Sequence, residues 1–153
     1  MLDIGIKAPD FELADRNGEI RKLSDFQGRK VILYFYPKDM TGGCTKQAVG
    51  YREHADEFRR LGTEIIGVSR DSSASHKRFE EKYSLNFTLL SDPDRKVTEM
   101  YDTWKEKKNY GKVSMGVVRT TYLIDGEGNI VYANDKVKAA DDAANMLAML
   151  SGK

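Results

Sequence analysis

The chain has 153 residues, of which 40% are hydrophobic and 32% charged, so we expect one globular domain spanning residues 1–153. Lysine and arginine number 25 against 24 acidic residues, and the net charge of +1 predicts no binding to nucleic acid or to an anionic membrane. No apolar run is long enough to span a bilayer and the N-terminal segment lacks the pattern of a secretory signal, so we predict a cytoplasmic protein.

The first two-thirds of the chain predicts strands that alternate with helices. Residues 11–23 predict two short strands around Asn17-Gly18, a strong signal for a hairpin turn. The continuous apolar run 31–36 is typical of a strand buried on both faces. Apolar residues then recur at helical spacing until Gly62 supplies a stop. A strand, a helix, a strand and a short helix are predicted next, at 64–69, 72–84, 86–92 and 94–101.

The last third predicts an antiparallel pair and a closing helix. Residues 120–125 and 129–134 flank the turn Gly126-Glu127-Gly128, and an alanine-rich and methionine-rich segment, 139–150, predicts the helix. This order of elements indicates an α/β fold with a mixed central sheet flanked by helices. It suits a thioredoxin-like fold with an N-terminal β-hairpin extension.

Cys44 is the only cysteine, so the chain can form neither an intrachain disulfide nor a thiolate-rich metal site. The two histidines, His54 and His76, are not at a ligand spacing, and both have the sequence context of exposed helix residues. We therefore predict no metal and no cofactor.

A lone cysteine is most often a small buried hydrophobic residue, but the position of Cys44 favours a reactive thiol. It follows a strand, Pro37 and a glycine pair, and it falls in the first turn of a predicted helix. Backbone N–H groups there lack helical partners and the positive end of the helix dipole faces the sulfur, so both favour the thiolate. Gly42 and Gly43 would let the backbone approach a small ligand closely.

The spacing of Pro37, Thr41 and Cys44 gives the pattern P-x-x-x-T-x-x-C directly after an apolar strand. This pattern resembles the peroxidatic motif of the peroxiredoxins. The stretch YFYPKDMTGGCTKQA is most similar to the bacterioferritin comigratory protein (PrxQ-like) branch, and the similarity continues through IIGVSRDS, LLSDPDRKV and VVRTTYLID.

The resemblance implies a thiol peroxidase that reduces hydrogen peroxide and alkyl hydroperoxides with the Cys44 thiolate. It places the Thr41 hydroxyl, the backbone N–H groups of Gly43 and Cys44, and the Arg119 guanidinium around the peroxide, with Pro37 shielding the pocket from water. From the residues alone, Thr41 has two roles of equal weight, because its hydroxyl is also a common helix cap. The alternative for Pro37 is that it simply terminates the strand.

Three positions depart from the family pattern. Gly42 replaces a usual proline, Gln47 replaces a common glutamate, and Val49 stands where many members carry a resolving cysteine. We therefore expect a one-cysteine cycle through a sulfenic acid, recycled by an external thiol. The resemblance implies thioredoxin as reductant, with glutaredoxin or a low-molecular-weight thiol as alternatives, and a monomer or weak homodimer. The competing hypothesis is a redox sensor that uses the same thiol but turns over slowly.

The segment 104–116 carries residues of undecided role. Trp104 and Tyr110 would either line the mouth of the pocket or pack in the core. We expect Lys105, Lys107 and Lys108 to form a solvated surface.

Overall fold

The computed structural model describes residues 1–152, apart from the side chain of Asn109. Its strands are β1 (Glu12–Ala14), β2 (Ile20–Lys22), β3 (Lys30–Phe35), β4 (Thr63–Ser69), β5 (Thr88–Ser91), β6 (Trp104–Asn109), β7 (Lys112–Val117), β8 (Thr120–Ile124) and β9 (Ile130–Asn134). Its helices are α1 (Gly42–Arg60), α2 (Ser73–Tyr83), α3 (Lys96–Met100) and α4 (Asp142–Leu150), with a short 3₁₀ helix at Leu23–Phe26.

Seven strands form one mixed sheet in the order β2-β1-β5-β4-β3-β8-β9. The three central strands β3, β4 and β5 are parallel, whereas β1 and β8 join them antiparallel. The N-terminal strands β1 and β2 pair with each other around Gly18, whose φ is +78°. The predicted mixed sheet with an added N-terminal hairpin is therefore confirmed.

The strand β3 lies at the centre of the core because both of its faces are covered. Val31, Leu33 and Phe35 belong to one buried hydrophobic cluster, and Ile32 and Tyr34 belong to the other. Alternate residues of a strand point to opposite faces, so an unbroken apolar run is what a strand covered on both faces requires.

Helix α1 packs on one face of the sheet and against α4. Ala48, Tyr51 and Ala55 on α1 share a buried cluster with Ala143 on α4. A Cβ atom on Gly50 would lie 3.3 Å from the Ala143 Cβ, so the glycine permits this close helix approach. The helix ends where the sequence predicts, since Gly62 follows it with φ +68°.

Two elements differ from the sequence predictions. The last helix begins at Asp142 and not at residue 139, because residues 138–141 form a turn in which the Asp141 N–H donates to the Lys138 carbonyl. The hairpin of β6 and β7 was missed altogether. Strand β6 lacks apolar alternation, and of the alternating apolar residues of β7 (Val113, Met115 and Val117) only Val117 is buried. The turn is formed by Tyr110 and Gly111, which both have positive φ.

Among the helices of the described chain, none is both long enough and apolar enough to cross a membrane.

Candidate active site

The first turn of α1 holds Cys44, which is a free thiol and only 2% exposed. The residue before the helix, Thr41, has an extended backbone, and its carbonyl accepts the first helical hydrogen bond from the Thr45 N–H at 2.9 Å. The N–H groups of Gly42, Gly43 and Cys44 therefore precede the helical ladder, and the sulfur lies at the positive end of the helix dipole.

Arg119 contacts Cys44, although the two residues are 75 positions apart in sequence. Its Nη2 donates to the Cys44 Sγ at 3.4 Å, and its Nη1 donates to the Gln47 Oε1 at 2.6 Å. The antiparallel pairing of Phe35 with Thr120 brings Arg119 to the end of β3, where the loop toward Cys44 starts. The fold thus places a half-buried cation against the thiol.

Gly43 allows this approach of the arginine. A Cβ atom at position 43 would lie 3.2 Å from the Arg119 Nη2, which is tighter than an ordinary contact. Gly42, in contrast, is exposed and has open space around its Cα. Of the two glycines, Gly43 is the one that the geometry of the site requires.

Thr41 is exposed and lies three residues before Cys44. Its hydroxyl donates to the Lys38 carbonyl at 2.8 Å and makes no side-chain cap on α1. The helix-cap alternative for Thr41 is therefore wrong. The hydroxyl instead closes the loop between β3 and α1.

Pro37 is half-buried at the end of β3 and lines a cavity of about 460 Å³. Trp104 and Lys107 from β6 and Met115 from β7 line the same cavity. The hairpin that the sequence did not reveal therefore lines one side of the cavity beside the start of the loop after β3.

Val49 is half-buried on α1, one residue before Gly50. Five residues of α-helix correspond to a rotation of about 500°, so Val49 lies roughly 140° around the helix from Cys44. The side chain at position 49 thus points away from the direction of the thiol.

Comparisons with known proteins give the family. The model of the AhpC/TSA family matches residues 4–133. The chain belongs to this family. It is 49% identical to peroxiredoxin Bcp of Bacillus subtilis, over 97% of this chain and 95% of that protein, and 46% identical to peroxiredoxin Bcp of Escherichia coli K12, over 92% and 90%.

Solved structures give the same result. The bacterioferritin comigratory protein of Xanthomonas campestris matches with a TM-score of 0.91 and 38% identity, over 98% of both chains. A cysteine-to-serine mutant of PrxQ from Xylella fastidiosa matches with a TM-score of 0.94 and 31% identity, over 99% of this chain and 97% of that one. The thioredoxin-like fold and the resemblance to the Bcp/PrxQ branch are confirmed, and the chain is a peroxiredoxin, a thiol peroxidase.

A second cation, Lys107, lies near the peroxiredoxin site, and the sequence did not reveal it. Lys107 was predicted to be solvated, yet it is only half-exposed, and its aliphatic carbons pack over Gly116. Burial, and after it the charge of Arg119, lowers the pKa of Lys107. An alternating apolar pattern was absent from β6, so no signal distinguished Lys107 from Lys105, which pairs with Asp102 on the surface.

The aromatic residues of the hairpin divide between two settings. Trp104 lies half-buried between Arg70 and Arg95, each with its guanidinium carbon 4.7 Å from the ring centroid. Tyr110, at the hairpin turn, is 99% exposed, so both expectations for it, the pocket mouth and the core, are wrong.

His76 was predicted to be exposed and is instead fully buried. Its Nδ1 lies 2.8 Å from an Asp39 carboxylate oxygen and its Nε2 lies 2.9 Å from the Leu90 carbonyl. Burial opposes ionisation of Asp39, but the hydrogen bond and charge of His76 hold the pKa of Asp39 below its ordinary value.

This buried pair anchors the loop that leads to the site. Asp39 also accepts from the hydroxyls of Tyr36 and Ser75, and its backbone N–H donates to the Asp71 carboxylate at 2.8 Å. The loop from Pro37 to Thr41 is thereby fixed to α2 and to the segment after β4. His76 is a structural support for this loop.

Proposed function

We propose that this peroxiredoxin reduces hydrogen peroxide and alkyl hydroperoxides through a one-cysteine cycle in which Cys44 is the attacking group. The observation that carries the proposal is the approach of the Arg119 Nη2 to the Cys44 Sγ at 3.4 Å, at the start of α1. A guanidinium, free backbone N–H groups and a helix N-terminus all favour an anion at this position.

The first half-reaction moves an electron pair from sulfur to oxygen. The Cys44 thiolate attacks one peroxide oxygen, the O–O bond breaks, and the other oxygen leaves as an alkoxide or hydroxide that takes up a proton. The sulfur is oxidised to a sulfenic acid, and the peroxide is reduced to an alcohol or water.

The surrounding groups stabilise the charge as it moves along the S–O–O line. We assign this role to Arg119 and to the backbone N–H groups of Gly43 and Cys44. We assign the Thr41 hydroxyl to the peroxide as well. In the structure this hydroxyl donates to the Lys38 carbonyl, so it meets the peroxide as an acceptor or after rotation. Pro37 excludes water from the same pocket.

The second half-reaction needs a partner because Cys44 is the only cysteine. An external thiol condenses with the sulfenic acid to give a mixed disulfide and water, and a second thiol then releases the Cys44 thiol by exchange. The family implies a thioredoxin-type reductant. We propose thioredoxin itself, with glutaredoxin or a low-molecular-weight thiol as the alternatives that the residue Val49 leaves open.

We also propose that the enzyme works in the cytoplasm as a monomer or weak homodimer, without a cofactor, a metal, a nucleic acid or a membrane. The near-neutral charge and the single buried, free thiol support this setting. Residues 1–153 act in this proposal as one domain.

A coupled assay with thioredoxin, thioredoxin reductase and NADPH tests the proposal. We expect sustained NADPH consumption with wild-type enzyme and none with Cys44→Ser, which removes the nucleophile and keeps the size of the side chain. A Cys44→Ser variant that turns over would reject the assignment of Cys44.

The same assay separates the enzyme from a slow redox sensor. The sensor hypothesis predicts a single burst that consumes one equivalent of peroxide and then stops. The similarity to named peroxiredoxins over nearly the whole chain favours sustained turnover.

A further inference from the structure

Asp142, the first residue of α4, lies buried behind the active site with 3% of its surface exposed. Three donors converge on its Oδ2 atom. The Tyr51 hydroxyl lies at 2.6 Å, the Thr121 hydroxyl at 2.8 Å and the Gln47 Nε2 at 3.0 Å. A carboxylate accepts hydrogen bonds only, so this oxygen selects the NH₂ end of the Gln47 amide.

The selection at one end of the amide fixes the other end. The Gln47 Oε1 is turned toward Arg119 and accepts from its Nη1 at 2.6 Å, while the Nη2 of the same guanidinium reaches the Cys44 Sγ. The reversed amide would present donors to a guanidinium, which itself has only donors. One orientation of Gln47 therefore satisfies both neighbours.

We propose that Asp142 is a positioning residue for peroxide reduction, which holds the Gln47 amide in this orientation and thereby holds Arg119 against the Cys44 sulfur. The proposal rests on the proposed function, since it matters for catalysis only where Arg119 acts on the peroxide.

The hydrogen bonds from Asp142 through Gln47 to Arg119 give a physical reason for glutamine, where the family commonly has glutamate, at position 47. A glutamate at position 47 would place an anion directly beside Arg119, since the Gln47 Oε1 lies 2.6 Å from its Nη1. Here the anion lies one side chain further away, at Asp142, and Gln47 connects it to Arg119 through two hydrogen bonds. Positions 47 and 142 are therefore coupled, and each residue type suits only its present partner.

The coupling can be tested by exchanging the side-chain amide at position 47 and the carboxylate at position 142. We expect Gln47→Glu to slow oxidation of Cys44 by at least about 10-fold, because the new carboxylate repels Asp142 and one side chain must turn away, which displaces Arg119. The double variant Gln47→Glu with Asp142→Asn should recover to within about threefold of the wild-type rate, since the amide introduced on α4 can donate to the carboxylate introduced on α1. The introduced amide has two N–H donors, so besides the carboxylate at position 47 it can donate to one of the hydroxyls of Tyr51 and Thr121, which accept as well as donate.

The measurement is the second-order rate of Cys44 oxidation by hydrogen peroxide, followed by stopped-flow with thermal unfolding as a check on folding. The matched control is Asp141→Asn, an exposed neighbour without a side-chain cap bond, which should leave the rate unchanged. A double variant as slow as Gln47→Glu overturns the proposal, and so does a Gln47→Glu rate equal to wild type.

Two further outcomes are distinguishable. If Gln47→Glu fails to fold, Asp142→Asn alone decides, because it keeps the size of the side chain and removes the selection of one amide end. We expect it to slow the reaction, and an unchanged rate overturns the proposal. A wild-type enzyme that does not react with peroxide rejects the proposed function itself, whatever the variants do.

Discussion

At the scale of single residues, the site depends on one guanidinium that contacts two partners. Arg119 donates to Gln47 through Nη1 and to Cys44 through Nη2. A planar guanidinium offers several donors in fixed directions, whereas a lysine ammonium is a compact charge on a flexible stem. The positive charge alone therefore does not reproduce the contact.

The variant Arg119→Lys separates charge from geometry. We expect it to slow the reaction of Cys44 with peroxide by about 10- to 100-fold, because one preorganised donor to the developing charge is lost. Stopped-flow measurement of the peroxide step checks this, with Lys108→Arg, an exposed position on β6, as a control for a conservative exchange elsewhere. A rate close to wild type would show that charge alone suffices.

The sequence allowed us to predict which residues form the site, but not which residues distant in sequence they contact. The spacing of Pro37, Thr41 and Cys44 is local and visible in the sequence. The contact of Gln47 with Asp142 joins residues 95 positions apart and depends on how α4 docks on α1. The burial of His76 likewise depends on Asp39, 37 positions away, so a helix containing many charged residues concealed it.

At the scale of elements, the unbroken helix α1 determines whether a thiol at position 49 could form a disulfide with Cys44. Cys44 and Val49 both lie within its continuous span from Gly42 to Arg60. A disulfide requires Cα atoms within about 7 Å and converging side chains, which five residues of helix do not provide. A resolving thiol at position 49 would therefore require the first turns of α1 to unwind.

The variant Val49→Cys tests this requirement. We expect peroxide to convert it to an intramolecular disulfide, with loss of far-UV circular dichroism as the helix start unwinds. Gly50 favours the unwinding, since glycine weakens a helix by up to about 1 kcal/mol relative to alanine. Intact mass and non-reducing electrophoresis follow the product, and Val49→Ser is the control. A stable sulfenic acid with an unchanged helix signal would contradict the expectation.

The element α2 contains a carboxyl whose protonation is linked to stability. Glu80 is 4% exposed, and burial raises its pKa from 4.5 to about 7 although Arg16 Nε lies 3.3 Å away. The folded state thus holds a proton that the unfolded state loses at lower pH. Stability from this group is present below about pH 4.5 and is lost as the pH rises to about 7.

We therefore expect Glu80→Gln to stabilise the protein at pH 8 and to have little effect at pH 4.5. The upper limit of the gain is about 3 kcal/mol, from the free energy equivalent of the pKa difference. Urea unfolding of both proteins across this pH range gives the answer, with the exposed Glu81→Gln as control. A less stable Glu80→Gln at pH 8 would mean that the ion pair with Arg16 outweighs the cost of burial.

The elements differ in how clearly their sequences predict them. Strand β3 has an unbroken apolar run because both of its faces are covered, and helix α1 has a helical periodicity because one of its faces is covered. In the hairpin, β6 is rich in lysine and has no hydrophobic alternation, whereas β7 alternates but buries only Val117 and leaves Val113 and Met115 exposed. The hairpin nevertheless lines the cavity beside Pro37, and it brings Lys107 near Arg119.

At the scale of the whole molecule, the mixed sheet brings together parts of the site that are far apart in sequence. The loop after β3 supplies Pro37 and Thr41, the adjoining start of α1 supplies Cys44, and the residue just before β8 is Arg119. Helix α4 then supports them through Asp142. The family resemblance predicts the first three parts, while the fourth became visible only in the folded chain.

The central claim is that Cys44 accepts the peroxide oxygen and that an external thiol removes it. Intact-mass measurement after one equivalent of hydrogen peroxide, with and without the thioredoxin system, tests this most directly. We predict a gain of one oxygen atom on Cys44, absent from Cys44→Ser and reversed by thioredoxin or another thiol. A wild-type mass that peroxide leaves unchanged, or an added oxygen on methionine with Cys44 still a free thiol, would contradict it.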